Sequence, residues 1–226
     1  MDRRTFLTAA AGAFSVLAIG AGGVPSRPLF AWSRPGGFFA PGVGVFEPPP
    51  LVVYDDGTAY ADAAASLRLP AAEVRALRVH ALDALGKPVD TSRPDRPYHD
   101  VRVWVDADRD LSARLDAGPV ISFPPALHDL YDRVRRLRRR ALDGEIFRPP
   151  AVLLATVKID YVPDSSEAWP LGAPPAGWYA EQRLRGAAAL EVQRRLPRAT
   201  EPVWPMYRVG PSNYVAATWR YLLPHE

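Results

Sequence analysis

The chain has 226 residues, of which 48% are hydrophobic and 23% are charged, a composition typical of a globular protein. It has no cysteine, which excludes disulfides, thiolate-bound zinc, iron–sulfur clusters, cysteine nucleophiles and a lipid-modified N-terminal cysteine. The formal net charge is only +3, far below the basic footprint of a typical nucleic-acid binder, so we expect no nucleic-acid partner.

The first 24 residues begin with an arginine pair and continue into an uncharged stretch rich in Ala and Gly. Arg3 and Arg4 are followed by Phe6 and Leu7, as in the consensus of twin-arginine export signals. We therefore expect residues 1–24 to be a signal peptide, the twin-arginine translocase to be a transient partner, and the protein to be secreted or associated with the cell envelope. Small residues near position 20 suit a signal peptidase, but none forms Ala-x-Ala, so a retained membrane anchor is the alternative.

Residues 25–50 are rich in Pro, Gly and Phe and are predicted to be an extended lead-in to one domain over residues 51–226. The domain opens with two β-prone runs, 51–54 and 58–61, separated by Asp55-Asp56-Gly57. An Asp-Gly pair between such runs predicts a hairpin with a type I′ turn.

The next segments alternate between helical and strand patterns. A helix is predicted after Pro70, with an apolar face that ends before Gly86, and a half-buried strand is predicted over 101–105. A second helix is predicted after Pro124 and Pro125, ending at Gly144. Its apolar stripe is Leu127, Leu130, Val134, Leu137 and Ala141. Two ion pairs with i,i+4 spacing, Asp129–Arg133 and Asp132–Arg136, are expected on this helix.

The last third contains a continuously apolar run at 151–157, typical of a strand buried on both faces. A third helix is predicted over 179–196, and a C-terminal hairpin joins 206–209 to 214–223. This order of elements predicts an α+β domain with a mostly antiparallel sheet and about three helices packed on one face.

Several short motifs carry a resemblance: Val-Tyr-Asp-Asp-Gly-Thr at 53–58, Phe-Arg-Pro-Pro at 147–150, Ala-Trp-Pro-Leu at 168–171, and the ending from 207–209 to 222–224. Their order is similar to that in a group of exported actinobacterial proteins, many of them lipoproteins, which have no assigned activity. The resemblance runs from about Phe38 to the end and implies the compartment and the fold. The chain departs from the lipoprotein members because it has no cysteine to acylate.

Three sets of residues are candidates for chemistry. His99, Asp100 and Ser165 are the catalytic candidates, although no Gly-x-Ser-x-Gly, Ser-x-x-Lys or His-Glu-x-x-His motif accompanies them. Asp106, Asp108 and Asp110 have the spacing of a calcium loop, but Leu111 and Ala117 stand where such a loop needs Gly and a carboxylate, which favours a solvated acidic turn. No cofactor is expected.

The third set is an arginine cluster on the second helix: Arg135, Arg136, Arg138, Arg139 and Arg140. These residues fall opposite the apolar stripe, so the cluster is expected to be a solvated helix face. The functional interpretation is a patch for anionic lipid headgroups or acidic wall polymers.

The sequence therefore favours a non-catalytic exported protein that binds a partner or ligand at the cell envelope. One alternative is a hydrolase of wall or extracellular substrates, with a site built around His99, Asp100 or Ser165. Another is association with an anionic membrane surface through the arginine-rich helix. The aromatic residues of the second half are predicted to fill the core, because sheet domains of this size bury such side chains.

Overall fold

The computed structural model of the chain describes residues 27–35, 47–93, 96–117, 123–174, 177–199 and 204–226. The strands before residue 147 are β1 (Pro28–Ser33), β2 (Leu51–Tyr54), β3 (Thr58–Ala61), β4 (Ala65–Arg68), β5 (Val89–Asp90), β6 (Tyr98–Trp104), β7 (Asp110–Asp116) and β8 (Glu145–Ile146). The later strands are β9 (Ala151–Ile159), β10 (Glu167–Ala168), β11 (Tyr179–Arg185), β12 (Met206–Gly210) and β13 (Asn213–Tyr221). The helices are α1 (Ala71–Ala84), α2 (Pro125–Leu142) and α3 (Gly186–Arg195).

These strands divide between two sheets that follow the order of the chain. The first sheet has the order β5-β7-β6-β1-β2-β3-β4-β8, and the second has the order β10-β12-β13-β9-β11. All pairs are antiparallel except β5 with β7 and β10 with β12. The predicted α+β class, with mostly antiparallel strands and three helices, is confirmed.

Both faces of the first sheet are covered at β2. The evidence is that alternate residues of this strand belong to two different hydrophobic cores. Leu51 and Val53 belong to the core formed with α1 and α2. Val52 and Tyr54 belong to the core shared with β9, β13 and α3. Every residue of β2 is therefore buried, as expected of a strand covered on both faces.

The two predicted helices of the first half are confirmed, and each begins directly after a proline. The apolar stripe predicted for α2 is buried along its whole length. Gly144 follows the end of α2 for a steric reason, since an added Cβ would overlap the carbonyl oxygen of Ser66 on β4. The predicted ion pairs of α2 are wrong: among the described residues Asp132 instead lies 3.7 Å from Nδ1 of His128.

The first hairpin is confirmed, but its predicted turn type is wrong. Val53 pairs with Ala59 across a loop of three residues, and the backbone N–H of Gly57 donates to the carbonyl of Tyr54 at 3.0 Å. In this loop only Gly57 has a positive φ, at 91°. The turn is therefore of type I, closed by a glycine in the left-handed region.

The predicted lead-in contains a strand of the sheet itself. Pro28–Ser33 is extended, and it pairs with β2 on one side and β6 on the other. Its buried side chains are Leu29, Phe30 and Trp32. Part of the 25–50 segment thus lies at the centre of the first sheet and contributes to the core.

Two further segments differ from the prediction. The sequence patterns predict no helix or strand between the acidic turn and Pro124, but Asp110–Asp116 is strand β7, whose Ala113 and Leu115 are buried. The helix predicted over 179–196 is wrong in its first part, because Tyr179–Arg185 is strand β11 paired with β9. The helix begins at Gly186, where φ is 57°.

Candidate binding cleft

The catalytic candidates do not meet in one site. His99 and Asp100 lie on β6 of the first sheet, and Ser165 lies in an exposed loop after β9 of the second. Successive residues of a strand point to opposite faces, so His99 and Asp100 are directed apart. The side chain of Asp100 contacts Arg102 at 3.4 Å, while its Oδ1 has no hydrogen-bond partner among the described residues.

His99 is a buried core residue with aromatic neighbours. Its Nδ1 accepts a hydrogen bond from Nε1 of Trp32 at 3.0 Å, and its ring packs against Tyr131 and Phe123. Burial, with the charge of Arg34 as a smaller contribution, lowers the pKa of His99 from its usual 6.5 to about 4. His99 is therefore a neutral core residue whose Nδ1 is already occupied by the indole N–H of Trp32.

Ser165 lines a cleft of about 470 Å³ together with Ser166, Glu167 and Tyr207. No histidine is among the described residues that line this cleft. Burial, with the charge of Glu167 as a smaller contribution, raises the pKa of Tyr207 to about 12, so its hydroxyl keeps its proton at neutral pH. Glu167 is the one carboxylate in this described lining, and no hydrogen bond joins it to Ser165.

The aspartates of the acidic loop between β6 and β7 form contacts with neighbouring residues of the protein. Asp106 accepts from the backbone N–H of Asp108 at 3.1 Å and lies 3.5 Å from Arg109. Asp110 lies 3.4 Å from Arg102. Across the described ranges, no group of three or more His, Asp or Glu side chains could hold a metal ion.

The arginines of α2 differ in their partners. Arg138 donates to both carboxylate oxygens of Asp62, and Arg140 does the same with Glu73. Arg135 lies over the ring of Tyr131, with its Cζ 5.8 Å from the ring centroid. Arg136 and Arg139 are exposed, and within the described part of the chain neither forms an ion pair. The face available to an anionic surface is thus smaller than predicted.

A cleft of about 430 Å³ lies where the two sheets and α2 meet, and five of its described lining residues are charged. We call it the inter-sheet cleft. Its lining comprises Arg34, Glu47, Pro48, Pro50, Asp62, Ala64, Arg138, Arg198, Ala199 and Trp219. Segments of the first sheet supply Arg34 after β1, residues 47, 48 and 50 before β2, and the β3–β4 turn. Arg138 comes from α2, Arg198 and Ala199 follow α3, and Trp219 lies on β13 of the second sheet.

One wall of the inter-sheet cleft is a strained turn held by an ion pair. Asp62 and Ala63 have φ values of 52° and 47°, in the left-handed region that non-glycine residues rarely adopt. Ala63 is fully buried. The Asp62 carboxylate lies 2.5 Å from Nη2 and 3.0 Å from Nε of Arg138, which joins the turn to α2.

Arg198 also lines this cleft, and it has aromatic neighbours but no carboxylate partner among the described residues. Its Cζ lies 5.5 Å from the ring centroid of Tyr221 and 6.0 Å from that of Trp219. Burial, and to a lesser extent the charge of Arg220, lower the pKa of Arg198. Among the described residues, Arg198 makes no ion pair and donates no side-chain hydrogen bond. Arg220 by contrast binds the carboxylate of Glu226.

Little in the sequence points to this cleft. The sequence pattern places Arg138 on a solvated helix face, with an anion-binding patch as its functional interpretation, and it does not single out Arg198. Trp219 was assigned to the core, where it is indeed buried. The aromatic prediction is wrong for Trp178 and Tyr161, which are 58% and 55% exposed.

The predicted export residues Arg3, Arg4, Phe6 and Leu7 lie outside the described residues. Among the helices that the structure describes, none combines the length and the apolar character needed to cross a bilayer. No protein-family model, no curated protein and no solved structure matches the chain. The geometry of the inter-sheet cleft is therefore the main guide to function.

Proposed function

We propose that this chain is an exported, non-catalytic binding protein of the cell envelope and that the inter-sheet cleft is its ligand site. The observation that carries the proposal is Arg198, a partly buried guanidinium that faces the cleft without a carboxylate partner among the described residues. Burying a charge without a counter-charge is unfavourable, so such a group favours an outside partner.

The separation of the catalytic candidates supports binding over hydrolysis. A nucleophile and its base need to lie within hydrogen-bond distance. His99 instead accepts a hydrogen bond from Trp32, and it is not among the described residues that line the cleft of Ser165. The engagement of Arg138 and Arg140 with carboxylates likewise favours cleft binding over association of α2 with an anionic membrane.

Export is tested by cell fractionation. The full chain and an Arg3→Lys/Arg4→Lys variant are expressed in a bacterium with a working twin-arginine translocase. We expect the unaltered chain in the envelope or medium and the variant in the cytoplasm, because the arginine pair is the feature that the translocase recognises. Recovery of both proteins only from the cytoplasm would refute the proposed location.

Binding in the cleft is tested on protein recovered from the exported fraction. Native mass spectrometry compares the unaltered chain with Ala64→Trp, which fills the cleft, and with Ala188→Trp on the exposed face of α3. We expect a bound molecule that Ala64→Trp lacks and Ala188→Trp retains, with circular dichroism confirming that both variants fold. No bound molecule, or equal retention by both variants, would contradict the assignment of this cleft.

A further inference from the structure

We propose that the inter-sheet cleft binds an oxyanion, the carboxylate or phosphate group of a soluble ligand, through the guanidinium of Arg198. Arg34, which lines the same cleft, adds a second positive charge near this site. The inference rests on the proposed binding function and names the chemistry of the ligand.

The charges of the described residues that line the cleft are unbalanced. Among these residues, three arginines face two carboxylates, Glu47 and Asp62. Asp62 is committed to Arg138, since both of its oxygens accept hydrogen bonds from that side chain. Asp62 acts on Arg198 only through its field, which is the weakest of the influences on the pKa of Arg198. A guanidinium therefore faces the cleft without a bound anion among the described residues.

The surroundings of Arg198 suit it for binding an anion. Its Cζ lies near the rings of Tyr221 and Trp219, an arrangement that restrains the side chain by cation–π attraction. Its five N–H donors find no side-chain or backbone acceptor in the described ranges. A restrained guanidinium with open donors suits a carboxylate or phosphate, whose oxygens match the fork of N–H groups.

The strained turn holds the carboxylate of Asp62 on Arg138, so Asp62 does not pair with Arg198. Backbone conformations such as those of Asp62 and Ala63 persist only where the surroundings hold them, and they cluster at functional sites. Here the surroundings are the buried methyl of Ala63 and the two bonds from Arg138. With Asp62 fixed on Arg138, Arg198 stays open to an outside anion.

The cleft beside α1 shows the contrast. It has about 520 Å³ and also contains arginines, but Arg68 lies 3.2 Å from Asp56, and Arg78 donates to the carbonyl of Val105 at 2.5 Å. These two arginines are occupied within the fold. The third, Arg75, has no ion pair or side-chain hydrogen bond among the described residues, but it is exposed, so water solvates its charge. Arg198 of the inter-sheet cleft is half-buried and has no such partner in the described ranges.

The test is titration calorimetry on the purified full chain, with sodium phosphate and sodium acetate as separate probes at constant ionic strength. Arg198→Met keeps an apolar stem on the rings and removes the charge, while Arg198→Lys keeps the charge and loses the fork. The control is Arg139→Met, an exposed arginine of α2. Thermal unfolding of each variant verifies that it is folded.

We expect Arg198→Met to weaken binding of at least one probe by about tenfold or more, because hydrogen bonds to charged groups have roughly this effect. Arg139→Met should bind within about twofold of the unaltered chain, and Arg198→Lys should be intermediate. The two arms show whether the preferred oxyanion is a phosphate or a carboxylate.

Equal binding by Arg198→Met and the unaltered chain, or an equal loss in Arg139→Met, would overturn the inference. So would the absence of binding to both probes. If a bound molecule is nevertheless lost from Ala64→Trp in the native mass spectra, the proposed binding function survives and only the oxyanion chemistry fails. If that molecule is absent while Arg198 still binds the probes, the oxyanion site stands and the cleft assignment of the natural ligand fails.

Discussion

The stability of the fold should fall on mild acidification, because His99 is buried in its neutral form. Its Nδ1 accepts the indole N–H of Trp32, so a proton on that nitrogen would oppose the existing hydrogen bond. Burial lowers the pKa of His99 to about 4, whereas an unfolded chain keeps a pKa near 6.5. Between these values the unfolded state binds more protons than the folded state, so the free energy of unfolding decreases as the pH falls.

The size of the effect follows from the two pKa values. Proton linkage at this one site removes roughly 2 kcal/mol of stability by pH 5 and about 3 kcal/mol by pH 4, relative to pH 8. Losses of this size are a large fraction of the stability of an ordinary domain. Below the folded pKa the contribution of His99 is constant.

The matched variant is His99→Gln, whose amide oxygen can still accept from Trp32 but does not titrate in this range. Urea unfolding, followed by tryptophan fluorescence, measures the free energy of unfolding at pH 7 and pH 5 for both proteins. We expect the unaltered chain to lose about 2 kcal/mol more than His99→Gln between these pH values. His225→Gln is the control for the second histidine whose pKa is lowered, chiefly by burial. An identical pH dependence in His99→Gln and the unaltered chain would refute the reasoning.

Three further substitutions test the packing of the fold by chemical denaturation. Leu130→Ala removes a side chain only 1% exposed and should lower the free energy of unfolding by about 2–5 kcal/mol, whereas the 55% exposed Leu190 should tolerate alanine with a change below about 1 kcal/mol. Gly144→Ala should destabilise strongly because the new Cβ overlaps a carbonyl oxygen of β4, while Gly172→Ala, with open space around it, should be nearly neutral; equal effects would contradict the described contact. Glu226→Gln should cost about 3 kcal/mol at pH 7, since it leaves a buried arginine without its anion, and no loss at this pH would show the pair to be unimportant.

Local patterns predicted the helices well where the apolar spacing was regular. In α2 the stripe from Leu127 to Ala141 repeats at helical spacing, and each of its positions is buried. The prolines before α1 and α2 marked their starts, because a helix does not need the N–H that proline lacks at this position. The hairpins were likewise encoded locally, by short β-prone runs on either side of a turn.

Pairing between distant segments was less predictable. Tyr179–Arg185 contains good helix formers, yet it forms β11 because β9 offers an open edge for all seven of its residues. Pro28–Ser33 lies in a stretch broken by proline and glycine, yet β2 and β6 pair with both of its edges. In each case the hydrogen-bond partner lies far away in the sequence, and propensity alone does not identify it.

The sequence by itself determined the α+β class, the main helices and the lack of every cysteine-dependent chemistry. Only the tertiary structure decided the inter-sheet cleft, because its lining comes from both halves of the chain, and Arg138 and Arg198 share it only when the two sheets pack together. Which arginine is neutralised depends on that packing as well: Asp62 and Arg138 are 76 residues apart, and a turn in an unusual backbone conformation brings them together. Charge can be counted in a sequence, but its compensation depends on distances that folding sets.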